Sequence, residues 1–301
     1  MNSTPSAITV IMPTRALRER SRLLRRALAS VLAQEGVRPA PVVVVNGSRR
    51  DGELVAWLEQ HRGIRVLSND EESIPAALGL GRSHVDTPWF SELDDDDFLL
   101  PGALLARVRA LEERADYAAV VTNGLLRDAS GDKLIVANFA AVRCDPLRSM
   151  VKFNWLLPGS WLCRTSAVDG EVFRDMPPHL ECTYLGIRLA TTHRTCFLDE
   201  PTVVWCADTP GAASKSREYV VGQEGAIRRI LELELPPDVR DSYRRKLAIS
   251  RNVAARLLLR EGDERAAWGC HLRSLLDPAG WRHWRFTLRL IVGERSRGSP
   301  P

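Results

Sequence analysis

The first 125 residues alternate short apolar runs with segments of helical periodicity. The run PVVVVN at 41–46 is apolar at nearly every position, which is typical of a strand covered on both faces. In the segment 18–34, apolar residues such as Leu24 and Leu28 recur at helical spacing. This alternation predicts an α/β domain whose mainly parallel, Rossmann-like sheet is flanked by helices.

The same reading gives bounds for the individual elements. Strands are predicted at 8–13, 41–46, 64–68 and 88–93, and helices at 18–34, 51–61, 74–84 and 101–115. From about 117 the β segments become looser, with one helical stretch near 180–190. Arg-rich helices are then predicted at 217–234, 238–261 and 263–276. We therefore expect one domain over 1–215 and a C-terminal helical extension over 216–301.

Composition and charge argue against several classes of protein. At 301 residues and 45% hydrophobic content the chain can build a sizeable core, and no apolar run approaches the roughly 20 residues of a membrane-spanning helix. The N-terminus lacks the basic start and long apolar stretch of an export signal. The six cysteines include no C-x-x-C pair, which fits a reducing compartment and predicts a cytoplasmic protein. The net charge of +4 is modest, and no basic, aromatic-studded surface is evident before the C-terminal third, so nucleic acid is not an expected partner.

The segment 281–297 mixes aromatic and basic residues, among them Trp281 and Trp284. That composition is typical of a helix at a membrane surface, and it predicts peripheral membrane contact. The alternative is that these aromatics pack on the protein and the arginines form a solvated face. The sequence does not separate the two.

Residues 91–102 read SELDDDDFLLPG and place four consecutive carboxylates between two apolar stretches. Adjacent like charges repel, so something must compensate them. Mg²⁺ and Mn²⁺ take carboxylate oxygens as ligands, and a strand that ends in Asp-x-Asp can offer them. Asp94, Asp95 and Asp96 are such a set. The alternative is that Asp97 caps the following helix, whose dipole favours acidic neighbours.

Ligands of parallel α/β sheets bind beyond the carboxyl ends of the strands. Three predicted strand ends carry polar or small residues there: Pro13-Thr14-Arg15, Asn46-Gly47-Ser48 and the acidic run. The candidate site is expected at this edge of the sheet.

The ordered motifs VIMPTR, SVLAQ, VVVVNGS and LDDDDFLLPGAL resemble the inverting family-2 glycosyltransferases of the GT-A fold. Downstream, LECTYLGIRLA and FLDEPTVVWCADTPGAASKS resemble the acceptor-side helix and closing segment of that family, so the resemblance covers 8 to about 215. It implies a nucleotide-diphosphate sugar donor, Mn²⁺ or Mg²⁺, a nucleotide-sugar half at about 1–115 and an acceptor half at about 116–215.

Carried over to this chain, the resemblance makes Asp94 and Asp95 nucleotide-sugar contacts, with Asp94 also near the metal, and makes Asp96 the metal ligand. It places Pro13, Thr14, Arg15 and Asn46 around the base and ribose. The family usually has an acidic pair before Gly-Ser, whereas this chain has Val45-Asn46. An amide can still hydrogen-bond a base edge, so a UDP-sugar is favoured, with thymidine and guanosine diphosphate donors left open. An ordinary turn at Asn46-Gly47-Ser48 is the alternative.

Two departures concern the closing segment and the catalytic base. Where the family often has a His, this chain has Asp208, a candidate third metal ligand or else a loop cap. Lys215 and Arg217 follow and would reach phosphates if the loop folded over the donor. The family's base is usually the Asp of a Glu-Asp pair, which here reads Glu181-Cys182. Either Glu181 or a Cys182 thiolate serves as base, or the protein does not catalyse transfer.

The acceptor is predicted to be a glycan, a lipid-linked sugar or a small molecule, in cell-surface glycan or secondary-metabolite biosynthesis. Trp155 and Trp161 lie where the family shapes its acceptor pocket, although core packing competes for at least one of them. A catalytically impaired nucleotide-sugar-binding protein of the same fold is the main alternative. A nucleotidyltransferase is disfavoured because the Gly-rich phosphate loop expected after the first strand is missing.

Overall fold

The computed structural model describes residues 5–209, 211 and 216–292. It divides into two compact units. The first comprises the described residues up to Met176 together with Glu181–Thr209, and the second comprises Pro177–Leu180 with the described residues after 209. The predicted domain boundary between 215 and 216 stays a prediction, since 212–215 lie outside the described residues.

The first unit contains the sheet and seven of the described helices. Its strands are β1 Ala7–Thr14, β2 Arg38–Asn46, β3 Arg65–Asn69, β4 Trp89–Glu92, β5 Phe98–Leu99, β6 Ala119–Asp128, β7 Gly131–Leu134, β8 Trp161–Arg164 and β9 Thr195–Cys206. Its helices are α1 Ser21–Leu32, α2 Gly52–Gln60, α3 Ile74–Ser83, α4 Ala103–Glu112, α5 Phe139–Cys144, α6 Pro146–Lys152 and α7 Glu181–Thr192.

The strands form one sheet in the order β3-β2-β1-β4-β8-β6-β9-β5, with β7 paired to β6. The first four strands are parallel to one another, with β1 lying between β2 and β4. Beyond β4 the sheet is mixed, because β8 runs antiparallel to both β4 and β6 while β9 runs parallel to β6. The predicted α/β fold with a helical C-terminal extension is confirmed, and its continuous run of parallel strands is β3-β2-β1-β4 in the N-terminal half.

The central strands owe their place to their apolar runs. Val42, Val43, Val44 and Val45 of β2 are all buried, which is the coverage of both faces that the uniform apolar pattern predicts. Helix α1 turns its apolar stripe, including Leu24 and Leu28, into the same core. Burying such side chains stabilises the sheet by about 1.5–3 kcal/mol for each large aliphatic residue.

The segment after the acidic run differs from expectation. Helix α4 begins at Ala103, and its N-cap is Gly102, which has a left-handed backbone (φ 75°) and makes no side-chain cap. Asp97 instead precedes β5, which pairs antiparallel with β9 through Phe98 and Val204. The alternative in which Asp97 caps the helix is therefore wrong, and the acidic run is a loop between β4 and β5.

The second unit is helical. Its helices are α8 Arg217–Leu231, α9 Pro237–Arg260, α10 Glu264–Leu276 and α11 Arg285–Val292. A turn at Gly262 (φ 85°) joins α9 to α10, between the helices predicted at 238–261 and 263–276. A core contributed by α9, α10 and α11 includes Ala255, Leu258, Cys270 and Phe286. Within the described residues, no helix is both long and apolar enough to cross a bilayer.

Candidate active site

The carboxyl ends of the parallel strands bring the predicted polar residues to one edge of the sheet. Thr14 ends β1, Asn46 ends β2 and Asn69 ends β3, while Glu92 ends β4 immediately before the acidic run. Because β1 lies between β2 and β4, Thr14 and the acidic run are neighbours. This is the edge at which a ligand is expected in such a sheet.

Asp95 is fixed by protein groups on both carboxylate oxygens. Thr14 Oγ1 donates to Asp95 Oδ2 at 2.5 Å, and Arg20 Nε lies 3.1 Å from both Oδ1 and Oδ2. Arg20 Nη2 also contacts Oδ1, and both side chains of this ion pair are largely buried. Asp95 therefore ties β1 and the start of α1 to the acidic run, and it is better suited to positioning its neighbours than to contacting a nucleotide sugar.

Asp94, Asp96 and Asp97 form a second group, with carboxylate oxygens within 4.8 Å of one another. Arg20 Nη2 lies 3.4 Å from Asp96 Oδ1, and the Cys206 amide donates to Asp97 Oδ1 at 2.8 Å. Asp97 Oδ2 is buried without a hydrogen-bond partner among the described residues. An unsatisfied buried carboxylate oxygen beside two further carboxylates is an arrangement that a cation would complete.

The electrostatics of Asp94 and Asp97 also favour a bound cation. Burial, followed by the charges of Asp97 and Glu92, raises the pKa of Asp94 well above its ordinary value. Burial likewise raises the pKa of Asp97, against the effect of the Cys206 hydrogen bond. Bringing such carboxylates together in their ionised form costs free energy that a divalent cation offsets. The all-oxygen donor set fits Mg²⁺ or Mn²⁺, so the residues present are compatible with the metal that the resemblance implies.

Asp208 does not join this group. Its Oδ2 accepts a hydrogen bond from the Ala129 amide at 3.0 Å, in the turn between β6 and β7, and the residue is exposed. The structure thus favours the loop-capping alternative over a third metal ligand. Of the two cations beyond it, Lys215 lies outside the described residues, and Arg217 Nε pairs with Glu261 Oε2 at 2.8 Å within the second unit.

The predicted base and ribose contacts lie around the ends of β1 and β2. Pro13 is buried, and Arg15 Nε pairs with Glu72 Oε1 at 3.1 Å on the surface. Asn46 is buried, and its Oδ1 accepts from the Ser73 amide at 2.9 Å, which fixes the N-terminal end of α3. Asn46 therefore supports the local backbone between the end of β2 and the start of α3.

The N-terminal end of α7 faces the acidic strand end. Cys182 Sγ donates to Glu92 Oε1 at 3.7 Å, and Glu92 Oε2 is buried with no partner among the described residues. Burial, followed by the charge of Glu181, raises the pKa of Glu92 to about 8. Burial and the nearby Glu92 and Asp94 raise the pKa of the Cys182 thiol well above its ordinary value. This environment disfavours the thiolate that a Cys182 base would need, which leaves the half-buried Glu181.

Comparison with known proteins decides the family. The family model described as Glycosyl transferase family 2 matches residues 9–131, which span the parallel strands, the acidic run and the β6-β7 hairpin turn. This region belongs to glycosyl transferase family 2. The predicted likeness to the family-2 glycosyltransferases of the GT-A fold is thereby confirmed for residues 9–131.

Solved structures agree on the fold. S. aureus TarS 1-349 in complex with UDP-GlcNAc is similar with a TM-score of 0.57 and 14% identity, over 82% of this chain and 72% of that chain. The same TarS segment in complex with UDP has a TM-score of 0.52 and 12% identity, over 95% of this chain and 79% of that chain. At this identity the likeness concerns the fold alone. No curated protein sequence matches the chain.

The predicted acceptor contacts of the glycosyltransferase need correction. Trp155 and Trp161 are both fully buried. Trp155 donates its Nε1–H to the Pro146 carbonyl at 2.8 Å and packs edge-on against Phe197, while Trp161 packs edge-on against Phe90. Large aromatics with this degree of burial belong to the core, so neither ring is available to stack on an acceptor sugar.

Four residues of the site were not predicted as such: Arg20, Arg26, Glu92 and Asp97, the last of which was expected only as a possible helix cap. Arg26 Nη2 contacts the Asp96 carbonyl and lies 3.3 Å from Cys206 Sγ, so α1 and its N-cap residue Arg20 supply two cations to the acidic run. The arginines of α1 are numerous, and their spacing does not reveal which ones turn toward the loop. The sequence signal that could have found Glu92 is an acidic residue at the end of a short predicted strand, two positions before another carboxylate.

Proposed function

We propose that the chain is a metal-dependent inverting glycosyltransferase that moves a sugar from a UDP-sugar to a hydroxyl acceptor. The observation that carries this proposal is the Asp94, Asp96 and Asp97 group, placed at the carboxyl end of β4 in a family-2 domain. The match of residues 9–131 to the glycosyltransferase family is given above. The metal, the donor and the stereochemistry are the proposed parts.

Asp94, Asp96 and Asp97 would hold the cation through their carboxylate oxygens. Mn²⁺ or Mg²⁺ bound there would neutralise charge on the diphosphate leaving group. Arg20 holds Asp95 and lies beside Asp96, so the carboxylates are positioned before any ligand arrives. Such prior positioning reduces the reorganisation needed when charge develops.

Glu181 is the proposed general base. The acceptor oxygen forms a bond to the anomeric carbon while the bond from that carbon to the diphosphate oxygen breaks, and the acceptor proton passes to the Glu181 carboxylate. Direct displacement of this kind inverts the anomeric centre. Support for this role is that Glu181 begins α7 and lies close enough to Glu92, the last residue of β4, to interact with it electrostatically.

A UDP-sugar is the favoured donor. Support comes from the TarS structures, which are complexes with UDP-GlcNAc and with UDP, and from the placement of Asn46 at the end of β2. The acceptor is a glycan, a lipid-linked sugar or a small molecule, and the buried Trp155 and Trp161 offer it no aromatic platform.

One observation favours a second candidate function, that of a nucleotide-sugar-binding protein that does not catalyse transfer. Cys182 stands where the resemblance places the family's Asp base, and its surroundings hold the thiol protonated. If Glu181 does not replace that base, donor binding would persist without turnover.

The test combines binding and transfer. Calorimetry with UDP, in the presence of Mn²⁺ and in the presence of chelator, measures whether nucleotide binding depends on the cation. Incubation with isotope-labelled UDP-sugars and candidate acceptors measures transfer, and the anomeric configuration of the product reports inversion. Equal UDP affinity with and without cation contradicts the metal assignment, and a retained anomeric configuration contradicts direct displacement.

A further inference from the structure

The aromatic and aliphatic residues of the last described segment fall on two opposite faces. Phe286 and Leu290 are buried in the core of the second unit. Four other apolar residues are exposed, namely Trp281 (65%), Trp284 (51%), Leu288 (54%) and Ile291 (68%). Their spacing of three, four and three residues puts them on one side of a helical segment.

Contacts of the inner face fix which side looks outward. Thr287 Oγ1 and His271 Nε2 are 2.8 Å apart, and the Phe286 ring packs edge-on against His271. Helix α11 is therefore held to α10 by its buried side and cannot turn its outer apolar residues inward without losing these contacts. We call the exposed set Trp281, Trp284, Leu288 and Ile291 the outer face.

The outer face is bordered by positive charge. Arg282, Arg285 and Arg289 are all exposed, and no acidic residue occurs between 278 and 292. The guanidinium of Arg282 lies 5.8 Å from the Trp281 ring centre, and that of Arg285 lies 5.9 Å from the Trp284 ring centre. Indole rings beside arginines and aliphatic side chains are the composition of segments that insert at the headgroup level of a bilayer.

We propose that the outer face docks on the surface of an anionic lipid membrane. A contiguous exposed apolar face marks an interaction site, and three like charges around it select a partner of negative charge. A second copy of this chain would place arginines opposite arginines, which repel. A nucleic acid would satisfy the arginines but leave Leu288 and Ile291 in contact with phosphates or water.

The sequence left open whether the aromatics of 281–297 pack on the protein or meet a membrane, and the structure divides them. Phe286 packs on the protein, as the first alternative expects, whereas Trp281 and Trp284 are exposed. Residues 293–297 of that prediction lie outside the described residues and play no part here.

The experiment uses the full chain and co-sedimentation with lipid vesicles, so it does not depend on transfer activity. One set of vesicles is phosphatidylcholine alone, and the other contains phosphatidylglycerol as well. We expect binding to the anionic vesicles, little binding to the neutral ones, and weakening at high salt. Replacing Arg282, Arg285 and Arg289 together with Gln should lower the partition coefficient by about tenfold or more.

A variant with Trp281→Ser, Trp284→Ser and Leu288→Ser should lose binding to both vesicle types. Leu134→Ser is the matched control, because Leu134 in β7 of the first unit is 53% exposed, close to the 54% of Leu288. If the Ser variant does not fold, as judged by circular dichroism, the Gln variant still tests the proposal, since its changes are confined to exposed side chains. Equal binding by wild type and the Gln variant, equal binding to both lipid compositions, or a dimer in light scattering that the Ser variant abolishes would overturn the proposal.

Discussion

The Cys182 thiol donates to the Glu92 carboxylate at 3.7 Å, joining the first turn of α7 to the end of β4. Burial and the nearby charge of Glu181 raise the pKa of Glu92, and burial and the nearby Glu92 and Asp94 raise the pKa of the Cys182 thiol. Both groups are therefore held in their protonated forms. A thiol that acts as a hydrogen-bond donor to a buried carboxyl is not available to accept a proton from an acceptor hydroxyl. The pair therefore bears on which residue of the Glu181-Cys182 motif can be the base.

We expect Glu181→Gln to lower turnover by roughly 10²–10⁴-fold, the range attributed to a general base, while UDP affinity is retained. Cys182→Ser is the matched control on the adjacent position and should have a mild effect, since a hydroxyl can donate the same hydrogen bond. Labelled-sugar transfer measures turnover and calorimetry measures affinity. Full activity of the Gln variant together with an inactive Ser variant would reverse the assignment.

Glu92 predicts a pH dependence of folding. Its pKa is about 8 in the folded protein, against an ordinary value of 4.5. Between those values the folded state binds more protons than the unfolded state, so the free energy of unfolding falls as pH rises. The stability that a protonated Glu92 contributes is fully present below about pH 4.5 and is lost as pH rises toward about 8, at up to about 1.4 kcal/mol per pH unit.

Urea unfolding in chelator at several pH values between about 5 and 8 measures this slope. Asp94 and Asp97 have raised pKa values and contribute with the same sign, so the comparison needs a variant. Glu92→Gln keeps the shape of the protonated carboxyl and should flatten the slope, whereas Glu72→Gln on the surface should not. An unchanged slope in Glu92→Gln would show that Glu92 is ionised in the folded protein.

The metal group gives a third prediction. Asp96→Ala should remove most of the cation dependence of UDP binding together with activity, because it deletes one of the three convergent carboxylates. Asp208→Ala is the matched control, since Asp208 lies outside the group and caps the turn at Ala129. Calorimetry with Mn²⁺ and with chelator measures the cation dependence of UDP binding in both variants. A stronger effect of Asp208→Ala than of Asp96→Ala would return Asp208 to the metal site.

The N-terminal half could be predicted closely because its signals are local. The four valines of β2, the helical stripe of α1 and the acidic run each report their own element, and the parallel order places their ends together. The GT-A type of the fold was inferred from the family resemblance.

Side-chain direction could not be predicted in the same way. Trp155 and Trp161 occupy the acceptor half, but whether an aromatic faces a pocket or the core depends on the register of β8 and on α6, which involve contacts distant in sequence. Arg20 was missed for the same reason: its partner Asp95 is 75 positions away along the chain. Asp208 reaches Ala129 across 79 positions. Spacing within a motif carries no information on such pairs.

The Arg20 and Asp95 pair yields the last prediction. Their side chains are only 16% and 6% exposed, and Thr14 adds a further hydrogen bond to the same carboxylate. Removing one member of a buried pair leaves the other charge uncompensated, so Arg20→Gln should lower the free energy of unfolding by about 3 kcal/mol. Arg15→Gln is the matched control. It breaks the pair with Glu72, whose side chains are 40% and 54% exposed, and should cost about 1 kcal/mol or less.

Urea unfolding of both variants, in chelator and again with Mn²⁺, separates two roles of Arg20. Arg20 also lies 3.4 Å from Asp96, so its removal adds negative charge to the group that would hold the cation. Added Mn²⁺ should therefore restore more stability to Arg20→Gln than to Arg15→Gln, because a ligand that binds only the native state stabilises it by mass action. Equal losses in the two variants would mean that the Arg20 and Asp95 pair is solvated like a surface pair. Equal recovery with Mn²⁺ would mean that Arg20 does not influence the cation site.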